Sequence, residues 1–356
     1  MLESGGPGGA ETVLLQLSDE LCGRGHTIVP VRMPDGEVWL DDQLASRGLD
    51  PRRVSLDRPV DLKAVGRLAD VLSGAGADVV HSHDFTMAVY GAAAARRLGL
   101  PHVITMHGSQ TVMDSLKRRI ALRWAFRHSR AVVAVSEATR DDMRSRLGRR
   151  AGPIEVIPNG VPVRPGDASG PRAEFGISSE EVVILAVGNL SERKGHIVLL
   201  EAMALLEDRG IGVPWRVVIA GRGPQHDVLA AFAQQAGMAD RVHLAGHRDD
   251  VPDLQAAAHI LCMPSLWEGL PLAVLEGMHA GNCIVASRTS GIPEAITDGE
   301  NGLLVQPGEV EPLADALEKV VTDEGFRRRL SEASLATARQ RFSVERMTDG
   351  YEALYG

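Results

Sequence analysis

Residues 182–209 read VVILAVGNLSERKGHIVLLEAMALLEDR. Six apolar residues run unbroken, then comes a polar loop with two glycines, then a longer segment with spaced apolar positions. An apolar run that short and that continuous reads as a strand buried on both faces, and the segment after the loop reads as a covering helix. The same alternation extends outward in both directions. Apolar runs at 77–81, 102–106, 131–135 and 154–157 precede it, and runs at 216–220, 242–245, 260–263 and 283–287 follow it. Helical patterns fall between them at 10–24, 62–74, 86–98, 116–128, 137–147, 196–209, 271–280 and 311–322. Strand and helix alternating in this way define an α/β protein built on parallel sheets. A Pro- and Gly-rich stretch at 158–176 separates two such series, which predicts two doubly wound domains facing each other across a cleft.

The first series lacks its opening strand. A doubly wound domain begins with a strand that feeds a glycine turn and then a helix. Here the turn SGGPGG at 4–9 comes after only three residues. The expectation is a missing or vestigial central strand, unless another segment fills that slot.

The 356 residues exceed one core, in keeping with two domains. No apolar run approaches the roughly 18 residues that cross a bilayer, and residues 1–10 lack the basic and apolar regions of a signal peptide. Cys22, Cys262 and Cys283 are far apart, which argues against a disulfide framework or a zinc site and fits a cytoplasmic protein. The net charge of −9 is uneven: residues 1–164 are basic by three charges and the remainder is acidic by twelve. A basic first half fits an anionic acceptor or peripheral contact with an anionic membrane at its inner face, although surface composition alone gives the same imbalance. The acidic second half and the 4% aromatic content argue against nucleic acid.

The segment 267–277, WEGLPLAVLEG, carries the strongest chemical signal. On helical spacing Glu268 and Glu276 fall roughly 80° apart around the axis and about 12 Å along it, too far for a two-carboxylate glycosidase. That spacing suits two contacts at opposite ends of one extended ligand. Gly269, Leu270 and Pro271 stand where a helix begins, so backbone N–H groups from Gly269 to Leu272 are placed to receive an anion. The plain alternative is a capped surface helix. In the loop 187–195, Lys194, one of four lysines against 34 arginines, sits at a helix entrance where an ammonium and helix amides make a phosphate site. A solvated turn lysine is its alternative. The glycine turn ending at Gly9 and the turn 221–224 are weaker signals of the same kind.

His81 and His83 alternate at a strand end and share a face, and His107 follows another strand. These histidines with Asp84 make a poor case for a metal site; His107 as a hydrogen-bonding group toward a sugar is the preferred reading. In 116–130 Arg119, Arg123 and Arg127 recur every fourth residue beside Ile120 and Trp124, a pattern of a membrane-surface or acceptor helix or of a solvated face over a packed one. The chain has no Asp-x-Asp, so no metal is expected and organic cations with helix dipoles take over its work.

These residues together resemble the retaining, two-domain GT-B glycosyltransferases of family 4 (group 1). The resemblance runs nearly end to end. It rests on GGAE at 8–11, VVHSHD at 79–84, MHG at 106–108, VSEATRDDM at 135–143, VIPNGV at 156–161 and VGNLSERKGH at 187–196. AGRGP at 220–224, PSLWEGLPLAVLE at 264–276, SGIPEAI at 290–296 and RFSVERMTDGYEALY at 341–355 complete it. It implies an acceptor-side Rossmann-like domain over 1–162, a nucleotide-sugar-binding domain over 163–340, and a tail, 341–356, returning to the first domain. It also implies roles: Glu276 on the donor ribose, Glu268 on the transferred sugar, Lys194 on the diphosphate with the amides of Gly269–Leu272, His107 near the reacting face, and the base near His247 and Arg248 through backbone contacts. The substrates it implies are a nucleoside diphosphate sugar and a glycan, lipid-linked or small-molecule acceptor, with no cofactor. Asn189 stands where many members carry an arginine to the phosphates, and Arg193 is the substitute. Gly277, His279, Asn282 and Cys283 also depart from the usual residues, and Gly277 is expected to weaken its helix by about 0.5–1 kcal/mol. The competing readings are a nucleotide-sugar epimerase, which acts on donor alone, a phosphorylase, for which no pyridoxal lysine is evident, and a non-catalytic nucleotide-sugar binding module.

Overall fold

The computed structural model describes residues 1–33, 37–57, 60–108, 115–148 and 151–356. The chain divides into two compact units, one formed by Met1–Val161 with Val344–Gly356 and the other by Pro162–Ser343.

In the first unit β1 (Val31–Arg32) and β2 (Arg52–Arg53) make a short parallel pair. β3 (Val80–His83), β4 (His102–Met106), β5 (Ala131–Ala134) and β6 (Glu155–Val156) form a parallel sheet in that order. The helices are α1 (Gly9–Gly23), α2 (Trp39–Ala45), α3 (Leu62–Gly74), α4 (Asp84–Leu98), α5 (Leu116–Arg127) and α6 (Glu137–Leu147). Side-chain caps start two of them: Asp61 accepts from the amides of Lys63 and Ala64, and Ser136 accepts from that of Thr139.

Met1 and Leu2 lie between the two sheets. Leu2 N donates to Val31 O at 3.1 Å, and Leu2 O accepts from Met33 N at 3.4 Å. On the other side His83 N donates to Met1 O at 2.9 Å, and the Met1 amine donates to His81 O at 2.6 Å. Burial pulls that amine down to about 5. Continuing back along the same line is a cavity of about 790 Å³, walled by Leu17, Ile28, Val31, Val71 and Val80 among others. The slot of the central strand is thus filled only at its head. This also explains why β3 starts at Val80 and not at residue 77: Ala77, Asp78 and Val79 line the cavity.

The second unit is a single six-stranded parallel sheet with the order β12-β11-β10-β7-β8-β9. In sequence it runs α7 (Ser169–Glu174), β7 (Val182–Val187), α8 (His196–Asp208), β8 (Trp215–Ala220), α9 (His226–Gln235), β9 (Val242–Gly246), α10 (Val251–Ala257) and β10 (Ile260–Met263). It continues through α11 (Leu272–Ala280), β11 (Cys283–Ser287), α12 (Ile292–Ala295), β12 (Leu303–Val305), α13 (Val310–Thr322) and α14 (Glu324–Arg341). The chain winds outward from β7 through β8 and β9, then lays β10 on the other edge of β7. The strand order therefore reverses between β7 and β10, where open α/β sheets place ligands. Their core is dense: Ile184, Leu199, Leu200, Val217, Ile260 and Val285 have no exposed surface.

The last helix, α15 (Val344–Tyr355), belongs to the first unit. Tyr351 accepts from Thr105 Oγ1 at 3.0 Å, Met347 Sδ accepts from Gly160 N at 3.2 Å, and Arg24 pairs with Asp349 at 2.7 Å and with Glu352.

The half-filled slot generates a prediction. Two strand edges and an apolar cavity flank it, so an apolar extension of about six residues joined ahead of Met1 gains ladder hydrogen bonds and buried area. The extended protein should melt at least ~5 °C higher by calorimetry. An unchanged melting temperature would show that the slot does not take a strand.

Candidate donor site and histidine cluster

The loops after β7 and β10 meet at the point of strand reversal. A short 3₁₀ turn, Glu192–Lys194, ends at Gly195, whose φ of 64° and contact with the Pro264 carbonyl leave no room for a side chain: a Cβ there would stand 2.1 Å from Pro264 O. Leu266 N donates to Arg193 O at 2.8 Å, binding the two loops backbone to backbone. Lys194 Nζ then lies 2.6 Å from Glu268 Oε1, which also accepts from Ser265 Oγ at 2.9 Å. Arg193 Nη1 reaches Glu268 Oε2 at 3.3 Å and Trp267 O at 3.2 Å, with its guanidinium 5.3 Å from the Trp267 ring centre. The Lys194 and Glu268 side chains are only 12% and 7% exposed, whereas that of Arg193 is 42% exposed. Ser290, at the left-handed φ of 49°, accepts the Glu268 backbone N–H on its hydroxyl oxygen at 3.3 Å, and Gly291 N donates to Gly269 O at 2.8 Å. Three carboxyl-end segments, after β7, β10 and β11, thus hold Glu268 against two cations.

α11 starts at Leu272, with Pro271 at its N-cap, and its own hydrogen bonds begin with Val274 N donating to Pro271 O. Gly269 and Leu270 lead directly into this amino end, and Leu270 is buried. Glu268 therefore lies in the loop ahead of the helix, and the helical rotation and rise expected between it and Glu276 do not apply. Proline at the cap, extended at ψ 126°, is what ends the helix there. Glu276 sits one turn into α11, half-buried; burial raises its pKa, opposed by the charge of Arg164, and no described residue hydrogen-bonds to its carboxylate.

The departures noted along this segment have structural reasons. A Cβ on Gly277 would come within 2.6 Å of Leu261 Cδ2, so glycine lets α11 lie close on β10. Asn282 Nδ2 donates to Gln255 O at 2.9 Å and Ala258 O at 2.8 Å, Cys283 is buried in β11, and His279 Nε2 meets Phe342 O at 3.3 Å. Asn189 is exposed on the loop after β7. The Arg248 guanidinium is turned onto Glu174 and Asp250 in four bonds of 2.7–2.8 Å, so at this position only the backbone is left to meet a base. His196, which sequence reasoning passed over, is buried beside Lys194 and held neutral, its pKa lowered to about 4 by burial and by the Lys194 charge. The only signal for it was its place directly after Lys194-Gly195.

In the first unit the residues of the VVHSHD and MHG segments come together. His81 and His83 stack at 4.4 Å and His83 and His107 at 5.2 Å. His81 Nδ1 bonds the Tyr355 hydroxyl at 2.8 Å and its Nε2 bonds Thr105 Oγ1 at 2.8 Å; His83 Nδ1 bonds His107 Nε2 at 2.9 Å. Among the described residues no His, Cys, Asp and Glu group has metal-site geometry. Gly9 opens α1, and nothing stands within 4 Å of where its Cβ would be. On α5 the packed side is Leu122, Ala125 and Phe126, while Leu116, Ile120 and Trp124 are 61%, 56% and 38% exposed. No described helix is long and apolar enough to cross a membrane.

The fold defines a protein of two Rossmann-like domains, and comparison with known proteins gives its family. Residues 171–336 match the model for glycosyl transferases group 1, and residues 7–164 match that for glycosyltransferase family 4. The chain belongs to the group 1 glycosyltransferases of the GT-B fold, enzymes that transfer a sugar to glycan, lipid or small-molecule acceptors. It is 25% identical to the N-acetyl-alpha-D-glucosaminyl L-malate synthase of Bacillus anthracis over 98% of this chain and 93% of that one. It is 27% identical to the UDP-Gal:alpha-D-GlcNAc-diphosphoundecaprenol alpha-1,3-galactosyltransferase of Escherichia coli over 77% and 73%. The crystal structure of Anabaena HepE in complex with UDP superposes with a TM-score of 0.85 at 24% identity, covering 99% of this chain and 97% of that one.

The buried histidines set an acid limit. Burial lowers the pKa of His102 to about 3 and that of His107 to about 4, and holds His81 and His83 well below the ordinary value. A lowered histidine pKa means the unfolded chain binds the proton first, so stability is lost as pH falls from about 6.5 toward 4. Asp84, raised by burial to about 6, opposes this by stabilising the fold as it protonates in the same window, but it is one group against four. The melting temperature should fall by several degrees between pH 7.5 and 5; a flat profile would mean these rings are not buried neutral in solution.

Proposed function

We propose that this protein is a retaining, metal-independent glycosyltransferase that takes a sugar from a nucleoside diphosphate donor. The observation that carries the reading is the placement of Lys194, Arg193 and Glu268 at the β7–β10 reversal, directly ahead of the amino end of α11. A diphosphate there meets two cations, helix amides from Gly269 to Leu272 and the positive end of a helix dipole, which together supply the countercharge a metal otherwise gives. Glu276, half-buried and without a hydrogen-bonded donor, is available to ribose hydroxyls. Asn189 lines the approach of the phosphates in this reading, and the backbone at Arg248 receives the base.

Charge grows on the departing diphosphate as its bond to the anomeric carbon breaks. Lys194 and the amides stabilise that charge, and it is the largest catalytic effect invoked. The acceptor oxygen bonds the same face of the anomeric carbon while its proton passes to the departing phosphate oxygen. No covalent enzyme intermediate is required, and His107 contributes a hydrogen bond to the sugar. Glu268 reaches the sugar hydroxyls with Oε2, because the Arg193 partner there is the exposed and displaceable one, while Oε1 stays with Lys194 and Ser265.

The acceptor in this reading is a glycan or a lipid-linked carrier, reached by a cytoplasmic enzyme resting on the inner membrane face. α5 favours such a surface: Leu116, Ile120 and Trp124 are exposed beside Lys117, Arg118 and Arg127, and no acidic residue occurs from 115 to 136.

Release of nucleoside diphosphate from a panel of UDP-, GDP- and ADP-sugars, with candidate acceptors and with or without EDTA, tests the central reading. Chelator-resistant release with retained anomeric configuration is expected. Sugar isomerisation without acceptor would point to an epimerase, and nucleotide binding without turnover under every condition to a binding module. Lys194→Ala and Glu268→Ala should each lower transfer at least ~10-fold while the protein stays folded. Near-normal turnover in both would overturn the site.

A further inference from the structure

His107 is held from two directions by consecutive residues at the end of β3. His83 Nδ1 occupies His107 Nε2 at 2.9 Å, and the rings stack with an interplanar angle of 16°. Asp84 Oδ1 accepts the His107 backbone N–H at 3.2 Å. Asp84 does this from φ 58°, one of only two non-glycine residues with positive φ among the described residues. An aspartate in that conformation carries backbone strain, which persists only where the surroundings fix it. The other such residue, Ser290, holds the Glu268 amide. His83 is itself immobilised: 2% exposed, stacked on His81, with its own N–H bonded to Met1 O. His81 is in turn tied through both ring nitrogens, to Tyr355 and Thr105.

We propose that His83 and Asp84 are positioning residues for His107. His83 takes Nε2 and fixes the ring plane and the tautomer, and Asp84 fixes the backbone, so that Nδ1 is the one ring atom His107 offers to a substrate hydroxyl. The chemistry is that of two neutral imidazoles sharing one N–H: whichever ring donates, the other must accept, so the character of the outward nitrogen of His107 follows from whether His83 carries its proton on Nδ1. A ring free to flip would present two different atoms. The inference rests on the reading above in which His107 meets the sugar, and it adds that the selection of the contacting atom is made one residue layer away.

Two measurements test it. The first is independent of activity: side-chain ¹⁵N spectra of the full-length protein should show His107 as one tautomer in the wild type and as exchange-averaged in His83→Leu. Identical His107 signals in both would overturn the proposal. The second is kinetic. His83→Leu should lower kcat by at least ~10-fold with the donor KM changed less than ~3-fold, a loss on the scale of a misplaced contact group. His83→Asn keeps an amide near the Nδ1 position and should recover most of that loss. Asp84→Asn, which retains an acceptor and tolerates positive φ, should stay close to wild type where Asp84→Ala does not. The double variant His83→Leu/His107→Ala should be no worse than His107→Ala alone. If His107→Ala is slow and His83→Leu is not, the positioning proposal falls and the role of His107 stands. If His107→Ala turns over normally, the role of His107 falls and the ¹⁵N spectra still decide whether His83 fixes its ring. Melting curves of each variant separate these effects from unfolding.

Discussion

The second unit is organised around one ion pair. Lys194 and Glu268 stand 74 residues apart in sequence, on loops from two strands that are neighbours only because the chain reverses its winding between β7 and β10. Taking both charges largely out of water is costly, and their attraction returns that cost only with good geometry and further hydrogen bonds. Those are present: Ser265 and Arg193 complete the carboxylate, and Gly195 lets the two backbones touch. The ammonium is thereby held at the strand ends, and in the proposed function little reorganisation remains when a diphosphate binds.

The strands covered on both faces were readable because burial demands unbroken apolar runs, as in VVILAV and CIVAS. β1, β2 and β12 were not. Arg52 and Arg53 are exposed and form a two-residue ladder, and Leu303–Val305 is a three-residue edge, so neither leaves a periodic trace. Lys194, Glu268 and Glu276 were legible as candidates because a rare lysine and a Gly-Leu-Pro helix start are local features. Their bonding was not, since it depends on strand order, which no local pattern encodes. The error over Glu268 is instructive: a helical repeat was extended through Pro271, where the backbone is held extended. Gly277 looked like a local weakness and proves to be a packing requirement set by Leu261.

The first unit solves a different electrostatic problem. Where the second gathers charge at its strand ends, the first gathers neutral imidazoles, stripped of protons by burial and tied into a column with Tyr351 and Tyr355. Neutral rings offer directional hydrogen bonds without attracting phosphate. In the proposed function the diphosphate goes to the charged groups of the second unit, at Lys194.

The placement of α15 has a bearing on biogenesis. The second unit is one uninterrupted stretch of chain and can close as soon as it leaves the ribosome, whereas the first waits for Val344–Gly356, which is synthesised after it. Thr105 meets Tyr351 across 246 positions, and His81 meets Tyr355 across 274. Such distant contacts form slowly and leave their surfaces exposed meanwhile. The unit begun first is therefore the unit completed last, once Val344–Gly356 has been made. Truncation before Val344 would spare the second unit and uncover the histidine column of the first.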